Sequence, residues 1–505
     1  MGGVVAAGHP LTAEAGAAAL RAGGNAVDAA VAAVLMSFVT ESPLTGPGAG
    51  GFMLVHTAGE EDHLLDFFVA APGRGLDDGA EPSALVPIEL RFSEEAVQTF
   101  NVGPSSCGAY GTTVGLAQAL RRFGTARLGD LTGFPAKVAR EGHEVMPMEG
   151  AFLGILAPIL TSTPESAAIY APEGRIARAG ETLCFPELAD LLDRLGAEGP
   201  GFLYVGDVAA AVCDWVLERG GMLTHEDLRA YQVIEREPAR AHYRGREILS
   251  NPPPSMGGML IAYSLGLLER AGRPADVRMI VDVMDETNRA RTDEFEQGIH
   301  AEGYLERFLA QEALEKAASR LGSTTHIAVL DDEGRCASVT CSNGSCSAVV
   351  VPGTGMHLNN MLGEEDLNPL GFHRHPPGRR IPSMMAPTVV LQDGRAQIAL
   401  GSAGSNRIRS AILQTILGVI DDELPAQEAV DRPRVHWEGR AVEAEPGIDE
   451  EQLAALEAEG RTVIRFAEKS LYFGGVQAVA REFETGSLSG GGDPRRGGAA
   501  VVVSE

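Results

Sequence analysis

Residues 322–326, Gly-Ser-Thr-Thr-His, set two threonine hydroxyls and an imidazole side by side where a helical region gives way to a β-like one. A threonine holds its hydroxyl proton tightly, so it attacks a carbonyl only with a base beside it, and its own free α-amino group is one such base. That amine has a pKa of about 8, low enough for a useful fraction to be neutral near physiological pH. The chemistry requires Thr324 to be a chain terminus. An internal threonine becomes one if its hydroxyl attacks the preceding carbonyl and water then cleaves the resulting ester. Composition does not locate such a cut, and taken alone Thr324, Thr325 and His326 read as the ordinary start of a strand.

Other reactive side chains suggest less. His357, His373 and His375 invite a metal reading, but LGFHRHPPGRR has no helical i, i+4 pair and no Glu in zincin spacing, so no metal is expected. Gly46, Gly48, Gly50 and Gly51 crowd before the strand-like FMLVH without a Walker lysine or Rossmann spacing. Close backbone packing at a strand entrance is expected there. The six cysteines are too sparse for a disulfide scaffold, and the five-residue spacing of Cys336, Cys341 and Cys346 is not a zinc pattern. They read as buried thiols.

The elements around 322–326 fall into two regimes. GVVAAGHP reads as a strand and LTAEAGAAALRAGG as a helix capped by Thr12 and stopped at Gly23-Gly24. Residues 25–41 are apolar nearly all round, which predicts a buried helix. Helical spacing then dominates from about residue 110 to 320, interrupted by the rigid turn NPPPSMGGM. From Thr324 onward the runs THIAVLDD, EGRCASVTCS and APTVVLQDGRAQIALGSAG alternate like strands with Asp/Asn-Gly turns, and residues 405–422 read as a helix. The pattern is an interleaved α/β architecture with a helix-rich first two-thirds.

Bulk properties narrow the partners. A formal net charge of −28 argues against a nucleic-acid footprint and against docking on anionic lipid. There is no uninterrupted run of about 18 apolar residues, so no membrane span is expected. No signal peptide is visible at MGGVVAAGHP, which reads as cytoplasmic, or as periplasmic or secreted if a leader was removed.

GSTTHIAVLDDEGRCASVTCSNG (322–344) resembles the start of the small subunit of γ-glutamyltranspeptidases, where a Thr-Thr-His strand begins at an autocleavage point. GHPLTAEAGAAALRAGGNAVDAAVA, GPGAGGFMLV, NPPPSMGGM, LNNML, RIPSMMAPTVVL, GSAGSNRI and GGDPRR follow in the family's order. The resemblance implies a four-layer αββα sandwich of the N-terminal-nucleophile hydrolase type. It implies a large-subunit segment 1–323 and a small-subunit segment 324–505, from one precursor, intertwined in one catalytic domain. It further implies cleavage between Ser323 and Thr324, Thr324 as nucleophile with its freed amine as base, and Ser342 where the family has a second threonine. The backbone N–H groups of Gly404 and Ser405 stand where the family has a Gly-Gly oxyanion hole. No cofactor is implied, the substrate is a small-molecule amide or acyl compound, and oligomerisation is left open.

The glutamate-recognition positions depart from the family. Its Asp-Phe-Arg-Glu segment, whose arginine holds the substrate carboxylate, reads DFFVAAPGR here, with Phe68 and Val69 in place of the Arg and Glu. A phenyl ring cannot replace a guanidinium fork, and only Arg74 lies near in sequence. The family's Ser-Ser pair reads Ser383-Met384. Its Asn falls on Gly344, beside Asn343. Its acidic residue has two candidates, Glu365 and Asp366. The short connection to Arg380 lacks a cysteine pair, so a different lid is expected. Amide or acyl chemistry on a substrate other than a γ-glutamyl compound is therefore the leading expectation. The alternatives are a true γ-glutamyltransferase or glutathione hydrolase with a rewired pocket, and an unprocessed, inactive homologue with a binding role.

Overall fold

The structure, a computed structural model, describes residues 1–504 except 78, 92–96, 293–294, 296–297 and 310–323. The elements that build the site, in chain order, are β1 (Gly3–Ala7), α1 (Pro10–Arg21), α2 (Ala26–Thr40), β2 (Gly50–His56), β3 (His63–Asp66), α3 (Pro147–Leu160), β4 (Ile234–Arg236), β5 (Ala239–Tyr243), β6 (Arg246–Ser250) and α4 (Met256–Ala271). After these come β7 (Thr325–Asp331), β8 (Cys336–Ser342), β9 (Thr388–Gln392), β10 (Arg395–Ala403), α5 (Arg407–Ile420), β11 (Gly475–Arg481), β12 (Leu488–Gly492) and β13 (Ala499–Val503).

Seven strands form one sheet in the order β13-β1-β7-β8-β2-β3-β4, and six form a second in the order β12-β11-β10-β9-β6-β5. Strand alternation sorts the core into layers. Ile327 and Val329 of β7 join the apolar cluster of α1 and α2, while Ala328 and Leu330 join the cluster shared with Val389, Ala399 and Val479 of the other sheet. On the far side Ile398 and Leu400 of β10 pack with Met259 of α4 and Ile412 of α5. The result is helix, sheet, sheet, helix: the four-layer αββα sandwich. Both sheets draw strands from either side of residue 324, so the two segments are interleaved throughout.

Helix α2 is buried at every position from Ala26 to Thr40, as its all-round apolar sequence requires. Asn25 and Asp28 close its N-terminus as a reciprocal capping box. Helix α1 starts earlier than the Thr12 cap expected from sequence. His9 is the N-cap, its Nδ1 accepting from Leu11 N, because Pro10 is preorganised for the first helical position. Pro200–Glu218 is apolar and long enough by composition to cross a membrane. It consists of a 3-10 turn, Pro200–Leu203, and a helix, Asp207–Glu218, whose Val212, Cys213 and Val216 are buried in the α1–α2 core. Of the cysteines, Cys184 is exposed and the other five are buried and unpaired, so the expectation of buried thiols fails at Cys184.

Candidate active site

β7 pairs with β8 so that Thr325 lies opposite Cys341, and the same register carried one residue back sets Thr324 opposite Ser342. Ser342 pairs on its other side with Gly50 of β2. Thr324 and Ser342 are 5% and 2% exposed, so the hydroxyls sit inside the molecule. The glycine-rich strand entrance is dictated by close packing. A Cβ on Gly51 would come 2.3 Å from Thr340 O, and one on Gly50 would come 2.6 Å from Val69 N. Ser323 lies outside the described residues.

The second sheet supplies the backbone donors. Gly401 of β10 lies against the His326 ring, 2.4 Å from a Cβ built there, so β10 runs directly over the start of β7. β10 ends at Ala403, Gly404 turns at φ +122°, Ser405 sits at φ +50°, and α5 begins two residues later. A serine in the left-handed region costs on the order of 1–3 kcal/mol. Here its hydroxyl donates to Asp366 Oδ2, which holds the turn. The N–H groups of Gly404 and Ser405 have no acceptor among the described residues and stand at the positive end of α5.

A polar niche adjoins this turn. Gly344, at φ +67°, donates its N–H to Ser342 Oγ at 2.8 Å. A Cβ there would come 1.9 Å from Asn360 Oδ1 and 2.5 Å from Glu364 Oε1, so any side chain at 344 would require both to shift. Asn343 is tied through its backbone to Leu44 O and Asn360 N. Glu364 Oε1 accepts from Ser345 N at 2.9 Å. Burial, and the nearness of the two carboxyls, push Glu364 well up, while burial is the main cause that raises Asp366. Asp366 Oδ1, Asn343 Oδ1 and both amide atoms of Asn360 and of Asn406 are buried without a hydrogen-bond partner among the described residues. Buried polar atoms are rarely left so, and this many in one place mark a site built for a polar ligand.

The sequence-derived candidates thus divide. Thr324, Ser342, Asn343, Gly344, Asp366, Gly404 and Ser405 converge. Glu365 is half-buried, and the acid that joins Asp366 is Glu364, which sequence reasoning passed over. Ser383 Oγ accepts from Met385 N within its own turn, and Met384 packs in the outer apolar cluster with Met256 and Ile408. Phe68 is fully buried between the sheets, stacked on Phe52 with ring centroids 5.2 Å apart. Arg74 lies against the Gly378 turn. His357 bonds the Tyr170 hydroxyl through Nδ1 at 3.0 Å, and among the described residues no group of three or more His, Cys, Asp or Glu is placed to hold a metal.

A cavity opens on the other side of Thr324, walled by Met148, Phe152 and Leu153 of α3 and reaching Glu41, Gln477 and Arg496. Glu41 follows the last turn of α2 and receives hydrogen bonds from the Thr325 and Thr12 hydroxyls. Burial raises its carboxyl to about 7, with Thr325 and Thr12 opposing. The folded pKa exceeds the unfolded one, so Glu41 favours folding fully below pH 4.5, and that contribution is lost as pH rises through about 7. Glu41→Gln, neutral at every pH, should flatten this decline by roughly 3 kcal/mol at most. Urea titrations at pH 5 and pH 8 measure it, and equal slopes in both proteins would contradict it. The sequence signal for Glu41 was present: an acid directly after the last turn of a helix that is apolar nearly all round.

Two stacked sheets between helical layers, with a threonine standing just before an inner strand of one of them, are the architecture of the N-terminal-nucleophile hydrolase class. Within that class the chain belongs to the γ-glutamyltranspeptidase family, whose profile matches residues 12–503. It is 32% identical over 529 residues to the acylase ACY 1 proenzyme of Pseudomonas sp. (strain V22), spanning 99% of this chain and 94% of that protein. To the glutathione hydrolase proenzyme of Bacillus subtilis (strain 168) it is 29% identical over 553 residues, spanning 99% and 92%. The crystal structure of cephalosporin acylase from Bacillus halodurans matches with a TM-score of 0.82 at 25% identity, covering 99% of this chain and 95% of that one. The chain is an enzyme of this amidohydrolase and acyltransferase family.

Proposed function

We propose that the chain cuts itself between Ser323 and Thr324 and then works as an acylase, forming an acyl-enzyme on Thr324 from an amide that is not a γ-glutamyl compound. In the cut, Thr324 Oγ attacks the Ser323 carbonyl carbon, the C–N bond breaks to leave an ester, and water hydrolyses the ester. Residues 1–323 and 324–505 become separate chains, held together by the interleaved sheets. The freed amine of Thr324 then accepts the hydroxyl proton as Oγ attacks the substrate carbonyl. The oxyanion forms against the N–H groups of Gly404 and Ser405, whose loss would remove about 3 kcal/mol of transition-state stabilisation per donor. The ammonium returns the proton to the departing amine, and water or a second amine resolves the ester.

The observation that carries this reading is the unpartnered N–H pair of Gly404 and Ser405 at the strand end stacked over Thr324. The choice against γ-glutamyl substrates rests on Phe68, whose ring is packed between the sheets where the family's carboxylate-holding arginine would begin. Similarity to an acylase proenzyme supports the same choice. A series of acyl anilides tests it: the γ-glutamyl anilide should show a kcat/KM about 100-fold below the best simple acyl anilide, for want of a bidentate charged contact. Turnover of γ-glutamyl anilide as fast as the best of the series would return the chain to the alternative of a true γ-glutamyltransferase with a rewired pocket.

A further inference from the structure

Strand alternation gives the two threonines of the Thr-Thr-His run different surroundings. Odd-numbered residues of β7, Ile327 and Val329, face the helices α1 and α2. Even-numbered ones face the second sheet: His326 lies against Gly401 of β10, and Ala328 and Leu330 join the cluster between the sheets. Thr325 follows the odd set, and its hydroxyl donates to Glu41 Oε2 directly after α2. Carried one residue back, the alternation turns the Thr324 side chain toward the second sheet. The α-amine that a cut would free belongs to the backbone between these faces, one residue from the hydroxyl that Glu41 holds. Glu41 and Thr324 line the same cavity.

Each element packed around the Glu41 carboxyl brings its own groups. Glu41 Oε1 accepts from Thr12 of α1, whose Oγ1 also meets Thr40 Oγ1 of α2 at 2.8 Å. His9, the cap of α1, is lowered to about 4 by burial and then by His143, and is neutral. From α3 comes Glu149, bonded to His143 Nε2 at 2.8 Å, whose like charge raises Glu41. β8 brings the Cys341 thiol, raised by burial and then by Glu41, so it keeps its proton. The turn Pro494–Arg496 brings Arg496, whose charge lowers Glu41. Arg496, lowered by burial to about 10 with Asp493 and Glu41 opposing, is a cation at neutral pH, and Arg495 beside it is held by Glu445 and Asp493. Burial outweighs the rest and leaves the Glu41 carboxyl at about 7. It therefore changes charge in the range where an α-amine, at about 8, also does.

Resting on Thr324 as an N-terminal nucleophile, we propose that Glu41 is a positioning residue that governs the proton on the freed Thr324 amine, and so sets the lower pH limit of turnover. An ionised carboxylate stabilises a nearby ammonium, and so holds the amine in the form that cannot accept the hydroxyl proton. A neutral Glu41 carboxyl lets the amine lose its proton at lower pH. The two groups titrate as a coupled pair, so the acidic limb of the rate profile belongs to both. Thr325 ties the carboxyl to the strand that carries the amine, which fixes the separation across which the two charges act.

The pH dependence of kcat/KM on the best acyl anilide, measured for wild type and Glu41→Gln, tests this. Glutamine is neutral throughout, so the acidic limb should move to lower pH by roughly one pH unit. Thr325→Val removes a hydroxyl that lowers the Glu41 carboxyl, so it should move the limb the same way by less, and it serves if Glu41→Gln does not fold. Acetylation of the Thr324 amine by an N-hydroxysuccinimide ester, followed against pH by the mass of the 324–505 chain, needs no turnover and should shift with the limb. A limb and an amine that stay where the wild type has them, or that move to higher pH, would overturn the proposal. So would a rate lowered equally at every pH, which is the mark of a purely structural residue. A Thr-Thr-His terminus with an unmoved amine refutes this role alone, whereas wild-type turnover without that terminus refutes the nucleophile and this role together.

Discussion

Thr324→Ala is expected to remain a single chain on a denaturing gel and to lose turnover by on the order of 10^4- to 10^6-fold. Both effects follow from one atom. Without Oγ there is no attack on the Ser323 carbonyl and no ester to hydrolyse, so the amine that serves as base is never released. The backbone donors at Gly404 and Ser405 remain, and binding alone leaves only a small rate over water. Thr324→Ser keeps the hydroxyl and should keep both cleavage and measurable turnover. An alanine variant that is cut normally, or one that turns substrate over at a tenth of the wild-type rate, would contradict Thr324 as the nucleophile. The fold supports the comparison as a clean one, because Thr324 stands just before β7 in the wall of a cavity.

The largest expected loss of stability lies elsewhere, at Asp493. Its Oδ2 takes Arg434 Nη2 at 2.7 Å and Val476 N at 2.8 Å, and its Oδ1 takes Arg495 N at 3.0 Å and Arg495 Nη1 at 3.1 Å. Asp493 and Arg495 have fully buried side chains, and Arg434 is 2% exposed. Burial alone would raise the Asp493 carboxyl, but Arg434 and then Arg495 outweigh it and hold it below the usual range. Removing one member of such a set leaves buried charge uncompensated, so Asp493→Ala should lose about 3–5 kcal/mol in urea unfolding. Asp493→Asn keeps the shape and part of the hydrogen bonding and should lose less. A loss below about 1 kcal/mol for the alanine variant would show that the two arginines find other partners.

Much of the candidate site was legible because the residues proposed for its chemistry sit in motifs that are local in sequence. The strand start at Thr324, the hydroxyl at Ser342 and the turn at Gly404-Ser405 each sit in a motif that can be read in place. The buried helix followed from the absence of any polar face between Ala26 and Thr40. What the chain hides is contact between distant segments. Glu41 meets Thr325 across 284 residues, and Asp366 meets Ser405 across 39. Glu364 was missed beside Asp366 because only the 3-10 turn Met361–Gly363 decides which acid of Glu364-Glu365-Asp366 points inward. One local reading also failed for a local reason: Pro10 moved the cap of α1 back to His9.

Phe68 and Gly344 are where the sequence departs from the pattern its resemblance implies. Each departure is visible one residue at a time, and each has a packing setting in the structure: a stacked phenyl ring at one, a Cβ crowded by Asn360 and Glu364 at the other.

N-terminal sequencing of purified, catalytically active protein tests the central claim most directly. Two termini are expected, one of them Thr-Thr-His-Ile-Ala, in amounts that match the active fraction. Active protein that yields only the terminus of the uncut chain would contradict the account, since an internal Thr324 has no amine to act as its base.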